Sequence, residues 1–215
     1  MTLRALLVVA ALLAAGCSRV SADRGDLPYY DGRDFTPRWT ATSHRVGAFS
    51  LVAQTGAAIT DRDLAGRIHV ASFIYTRCAA ICPAIVSSLK RVEAAIVDRS
   101  VLIVSYSVTP ELDTPSTLAA FGRERGIDAS RWKLVTGDKR QIYALARDSY
   151  FADDTRLQTT LVGDDAFLHT EKVVLVDGAG RLRGVYNATQ AFDIDRLIAD
   201  IGALGGGTTR PARQS

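Results

Sequence analysis

Cys78 and Cys82 stand with three residues between them, and the second runs straight into Pro83. Cysteine does its chemistry as the thiolate, either as nucleophile or as metal ligand, and the thiolate is favoured at the amino-terminal end of a helix, where unpaired NH groups carry partial positive charge. Pro83 marks such an end, because proline is favoured at the first helical position. Arg77 is expected to add to the effect, so both sulfurs are expected to be reactive. A separation of four brings two cysteines together in a helical turn or a tight loop, so the pair can close a disulfide or hold a soft metal ion, Cu(I) or Zn(II), with room for a third ligand. The plainer alternative is a structural bridge in an exported protein. A structural bridge has no need of a strand end and a helix start.

Those two elements are legible around the pair. Residues 68–75 form an apolar run that suits a strand, and after Pro83 the residues Ile85, Val86, Leu89, Val92 and Ile96 recur at helical spacing. Residues 101–108 are a second near-continuous apolar and β-branched run, as expected of a strand covered on both faces in a parallel sheet. A turn over 109–115 follows, with Asp113 or Thr114 as cap and Pro115 just inside the next helix, which carries Leu118, Ala119 and Phe121. Residues 132–136 read as a short strand, and Gly137-Asp138 as the start of a helix through Ile142 and Leu145.

Upstream, 49–52 and Ile59-Thr60 flank a turn at Gln54-Thr55-Gly56, predicting a small hairpin, with a short turn or helix over 60–64. Residues 148–170 show no clear period and predict a long irregular loop. Beyond it, 172–176 and 181–186 flank Asp177-Gly178-Ala179-Gly180 as a second hairpin, and a final helix over 193–204 is expected to be capped by Asp193. Strand and helix alternating in this way predict an α/β chain with a thioredoxin-like three-layer fold: a central mixed sheet flanked by helices, with an N-terminal hairpin.

At 215 residues the chain suits one domain with tails. Lys+Arg 26 against Asp+Glu 23, scattered along the chain, leaves no basic face for nucleic acid. The N-terminus is more telling. Arg4 precedes an uncharged apolar run from Ala5 to Gly16, too short to span a bilayer but suited to a secretory signal, and Leu13-Ala14-Ala15-Gly16-Cys17 resembles a bacterial lipobox in which Cys17 is lipidated. The reading is therefore a signal over 1–17, a tether over 18–45, a folded domain over 46–204 and a flexible tail over 205–215. Lipidation at Cys17 leaves only Cys78 and Cys82 as thiols, in a chain anchored to the periplasmic side of the bacterial cell envelope.

Three histidines could complete a site with the two sulfurs. His69 lies inside a strand and reads as a core-edge or surface residue, while His44 lies upstream of the domain, where an exposed histidine is ordinary. His169 closes the long loop just ahead of a strand, which makes it the leading candidate.

Taken together, Cys78-Ala79-Ala80-Ile81-Cys82-Pro83, the stretch from Ser107 to Pro115, Trp132 with Thr136-Gly137, and His169 ahead of Val174, Leu175, Val176, Asp177 and Gly180 resemble the Sco/SenC family of copper-binding proteins. The resemblance runs from about 46 to 191. It implies that Cys78, Cys82 and His169 bind one copper ion, Cu(I) and also Cu(II). It further implies metal delivery to, or thiol reduction at, the copper A centre of a terminal cytochrome oxidase. The implied partners are the copper-receiving oxidase subunit, other periplasmic copper carriers or thiol reductants, and the membrane through the lipid anchor. Two departures from the pattern stand out: Ala79-Ala80 stands where many members have Pro-Asp, and Thr109 where many have Asp, each removing a carboxylate near the implied site.

The main rival is a general thiol-disulfide oxidoreductase without metal. Such enzymes usually carry Cys-x-x-Cys and a proline facing the dithiol, whereas this chain has three intervening residues and no proline from Ser116 through Arg210. A peroxiredoxin-like peroxidase would need proline and threonine where Ala71 and Tyr75 stand. A copper-binding module without a delivery step would need the same three ligands as a chaperone.

Overall fold

The structure is a computed structural model, and it describes residues 27–152 and 170–205. Seven strands form one sheet in the order β2-β1-β5-β4-β3-β6-β7. They are β1 (Ser50–Ala53), β2 (Ala58–Thr60), β3 (His69–Ile74), β4 (Leu102–Ser107), β5 (Trp132–Thr136), β6 (Lys172–Val176) and β7 (Leu182–Asn187). Among the described residues the helices are α1 (Asp61–Leu64), α2 (Cys82–Ala95), α3 (Pro115–Glu124), α4 (Lys139–Ala144) and α5 (Ala191–Gly205).

β3, β4 and β5 are mutually parallel, and the two hairpins β1-β2 and β6-β7 close the sheet antiparallel at either side. The central strands are buried on both faces, which is why they read as apolar runs instead of alternating. Val70 and Ile74 of β3 join Ile85, Leu89 and Val92 of α2 and Ile194, Leu197 and Ile201 of α5 in one core. Ala71 and Phe73 join Tyr106, Ile142, Leu145 and Tyr150 in the other. These are the three layers predicted, with the cysteines in the α2 layer.

Local chemistry sets the boundaries. Gly56 at φ 81° and Gly180 at φ 76° supply the left-handed positions of the two hairpin turns, which a side chain would disfavour. Thr114 caps α3 by accepting from Thr117 NH, with Pro115 next, and Asp138 caps α4 through Gln141 NH.

Three expectations are corrected here. The final helix opens at Ala191, so Asp193 is inside its first turn, and its carboxylate instead accepts from the Asn187 NH at 2.8 Å, holding the end of β7. The helix expected to run through Leu145 keeps α geometry only to Ala144 and then widens into a π turn, Leu145–Ser149. The start of the stretch expected as an irregular loop is ordered core, with Tyr150 and Ala152 buried and their NH groups bonded to Leu145 O and Ala146 O.

The described part of the stretch expected as a tether, from Leu27 on, is fastened to the domain. Tyr30 bridges to Leu182 at the edge of β7, Arg183 donates to the carbonyls of Leu27 and Pro28, and Tyr29 lies under the Arg183 guanidinium at 4.1 Å. Among the described residues no helix is long and apolar enough to cross a membrane.

Candidate metal and redox site

β3 delivers the site. After Ile74 the chain leaves the sheet, turns through 75–81 and enters α2 at Cys82, with Pro83 immediately inside. Ile81 occupies the N-cap position, and an isoleucine side chain has nothing with which to accept from the open NH groups of the first turn. The Cys78 sulfur takes that role: Cys82 NH donates to Cys78 Sγ at 3.3 Å. Both cysteines are free thiols, 8% and 5% exposed, packed at the end of the α2-side core.

This arrangement separates the two sulfurs chemically. Burial works against ionisation of Cys78, but the Cys82 NH and thiol and the NH groups of Ala80 and Ile81 outweigh it and hold the Cys78 thiol below its ordinary range. Burial pushes Cys82 the other way, up to about 12, with the Cys78 sulfur and the Asp113 carboxylate adding to the rise. The expectation that both sulfurs are reactive through a favoured thiolate holds for Cys78, the readily formed thiolate, and is corrected for Cys82, the buried thiol beside it. Arg77 is exposed, and loop amides, not its guanidinium, favour the Cys78 thiolate.

The loop start is fixed from a neighbouring connection. Asp113, 1% exposed between β4 and α3, accepts from Thr76 NH at 3.1 Å and from the hydroxyls of Thr76, Ser107 and Thr109. Thr109, one of the two departures from the family pattern, is therefore buried and bonded to Asp113. The sequence named Asp113 only as an alternative cap. No local signal could announce a partner 37 positions away.

His169 lies outside the described residues, as does Cys17. What is described is the strand that follows His169: β6 runs antiparallel to β3, so Lys172 lies toward the end of β3 from which the cysteine loop departs. Among the described residues no three His, Cys, Asp or Glu side chains are grouped to hold a metal ion. His69 is not a surface residue. It is 1% exposed, its Nε2 meets the Tyr150 hydroxyl at 3.3 Å, Nδ1 has no hydrogen-bond partner among the described residues, and burial pushes the imidazole down to about 4. It sits at the opposite end of β3 from the cysteines. His44 is half-buried, stacked on Phe151 at 4.5 Å and 2.8 Å from Ser149 O, so it is a packing residue and not a solvated one.

Two cysteines held at a helix start, one favoured as thiolate, can ligate a soft cation or exchange with a disulfide. Comparison with known proteins is consistent with this chemistry. The family model described as SCO1/SenC matches residues 38–204. The fold is that of a SCO1/SenC family lipoprotein from Bacillus anthracis, 25% identical with a TM-score of 0.66 over 75% of this chain and 95% of that one. It is also that of BsSco, a member of the Sco family of cytochrome c oxidase assembly proteins in which a disulfide switch has been identified (27% identical, TM-score 0.63, 76% and 94% covered). Bradyrhizobium japonicum ScoI with copper bound is 26% identical, with a TM-score of 0.55 over 71% of this chain and 98% of that one.

Proposed function

Because the chain belongs to the SCO1/SenC family, we propose that it carries copper in the cell envelope, holding one Cu(I) ion through Cys78, Cys82 and His169 for assembly of the copper A centre of a terminal oxidase. The observation that carries the reading is the sulfur pair, buried and adjacent at the start of α2, with Cys78 already favoured as thiolate. Soft thiolates select Cu(I), and an imidazole beside them completes a low-coordinate site that also admits Cu(II). The donor set among the described residues fits such an ion and lacks one ligand. His169 supplies it in this reading, three residues ahead of Lys172, where β6 begins toward the end of β3 from which the cysteine loop departs.

Ala79, Ala80, Pro83 and Ala84 are exposed around the pair, so small apolar side chains form the rim that a copper-receiving oxidase subunit or a second copper carrier would approach.

The asymmetry of the two thiols favours a second reading alongside, reduction of a disulfide in the copper-receiving protein. Cys78 thiolate attacks one sulfur of that disulfide and the other leaves as thiolate, taking up a proton; Cys82 then loses its proton and attacks Cys78 Sγ, releasing the second sulfur. The target gains two electrons as two thiols, and the Cys78–Cys82 disulfide carries the oxidation.

Anaerobic titration of the reduced chain, residues 18–215, with Cu(I), followed by X-ray absorption, tests the first reading. One equivalent bound by about two sulfurs and one nitrogen supports it. No tight binding, with ready thiol-disulfide exchange, leaves a general thiol oxidoreductase of the envelope. Anchoring at Cys17 is a separate proposal: Cys17→Ser should move the chain from the membrane fraction to the soluble one, and persistence at the membrane would refute it.

A further inference from the structure

The copper reading leaves one fully buried carboxylate without a task. Asp113 is 1% exposed, and among the described residues no cation pairs with it. Four donors converge on its two oxygens: the Thr76 hydroxyl on Oδ1, and the Thr76 NH (3.1 Å), Ser107 hydroxyl (2.6 Å) and Thr109 hydroxyl (3.2 Å) on Oδ2. Burying a carboxylate is costly unless its bonds are made, and each of these is. Ser107 and Thr109 are near neighbours in the chain, as expected for a residue that merely shapes its own turn. The bonds to Thr76 are different. They join the β4-α3 connection to the β3-α2 loop at the residue two places before Cys78.

We propose that Asp113 is a positioning residue for the dithiol. By gripping Thr76 at both its NH and its hydroxyl, it fixes the point at which the chain leaves β3. The turn over 77–81 is then closed between two anchors, Thr76 on one side and the first turn of α2, with Ile85 NH on Ile81 O, on the other. Cys78 Sγ is held under the Cys82 NH because the turn has no slack at either end. A ligand pair kept at one separation binds an ion without first paying to order the loop, which is the role of residues that support metal ligands without touching the metal.

The inference rests on the cysteines being the working site, and it is tested in the full chain with Thr76→Ser, Thr76→Val and Asp113→Asn. Two quantities are read: the Cu(I) dissociation constant, by competition with a Cu(I)-specific chelator, and amide hydrogen exchange across 75–82 in the metal-free protein. Thr76→Ser keeps the hydroxyl and should match the parent in both. Thr76→Val, close in shape, and Asp113→Asn should weaken Cu(I) binding by about tenfold or more, as loss of a supporting hydrogen bond does at metal sites. In both, exchange across 75–82 should accelerate while β4 and β5 stay protected. If Asp113→Asn does not fold, the serine and valine pair decides alone. Unchanged affinity and exchange in Thr76→Val, or equal losses in Thr76→Ser and Thr76→Val, would overturn the proposal. If the parent binds no Cu(I), the copper reading fails, and the exchange measurement still decides whether Asp113 holds the loop.

Discussion

At the scale of single residues, the balance between burial and the hydrogen bonds that oppose it decides what a titratable group does. Cys78 and Cys82 are four positions apart, yet one is pushed toward thiolate by the amides that surround it and the other away by desolvation. His69 shows the same force on an imidazole: burial lowers it to about 4, and the nearby Arg67 backbone and Asp177 offset this only in part. An unfolded histidine titrates near 6.5, so between the two values the unfolded chain binds the extra proton, and stability must rise with pH there. The contribution is fully present above about 6.5 and is lost as pH falls toward 4, amounting to about 3 kcal/mol. His69→Phe should therefore flatten the fall in urea midpoint between pH 7 and pH 4.5. An equally steep fall in the variant would assign the acid sensitivity to other groups.

Among the elements, the β6-β7 hairpin shows how a short turn is secured. Asp177 accepts from Ala179 NH and Arg181 NH within the turn, and pairs with the guanidinium groups of Arg181 at 2.9 Å and Arg183 at 3.2 Å. Arg183 is 6% exposed, so removing its anion leaves a buried charge uncompensated. Asp177→Ala should cost about 3 kcal/mol or more in chemical denaturation, where an exposed ion pair would cost under about 1 kcal/mol. A loss of the smaller size would mean that the backbone carbonyls of Leu27 and Pro28 satisfy Arg183 by themselves.

Over the whole molecule, the segment leading into the domain behaves as part of it. Tyr30 and Val46 pack on the second core, and His44 braces the π turn at Ser149 and Phe151. A chain beginning at residue 46 should accordingly melt several degrees below one beginning at residue 27, since about 1–2 kcal/mol shifts a domain of this size by that much. Equal melting temperatures would show that the segment only rests on the surface.

What the sequence determined by itself was the order of elements and the identity of the sulfur pair. Those depend on local physics: apolar runs buried on both faces in β3 and β4, the 3.6-residue stripe of α2, proline at helix starts, and glycine where turns need positive φ. The motif resemblance added the copper family, which the match over 38–204 bears out. Tertiary structure alone decided the rest. Asp193 left its expected cap because β7 brought the Asn187 NH within its reach, and α4 widened into a π turn whose neighbour Tyr150 fills the core beside Phe73 and Tyr106. Asp113 found Thr76 across 37 positions, and the two thiols parted in acidity. Burial and long-range hydrogen bonds are properties of the packed chain, so no local pattern could state them in advance.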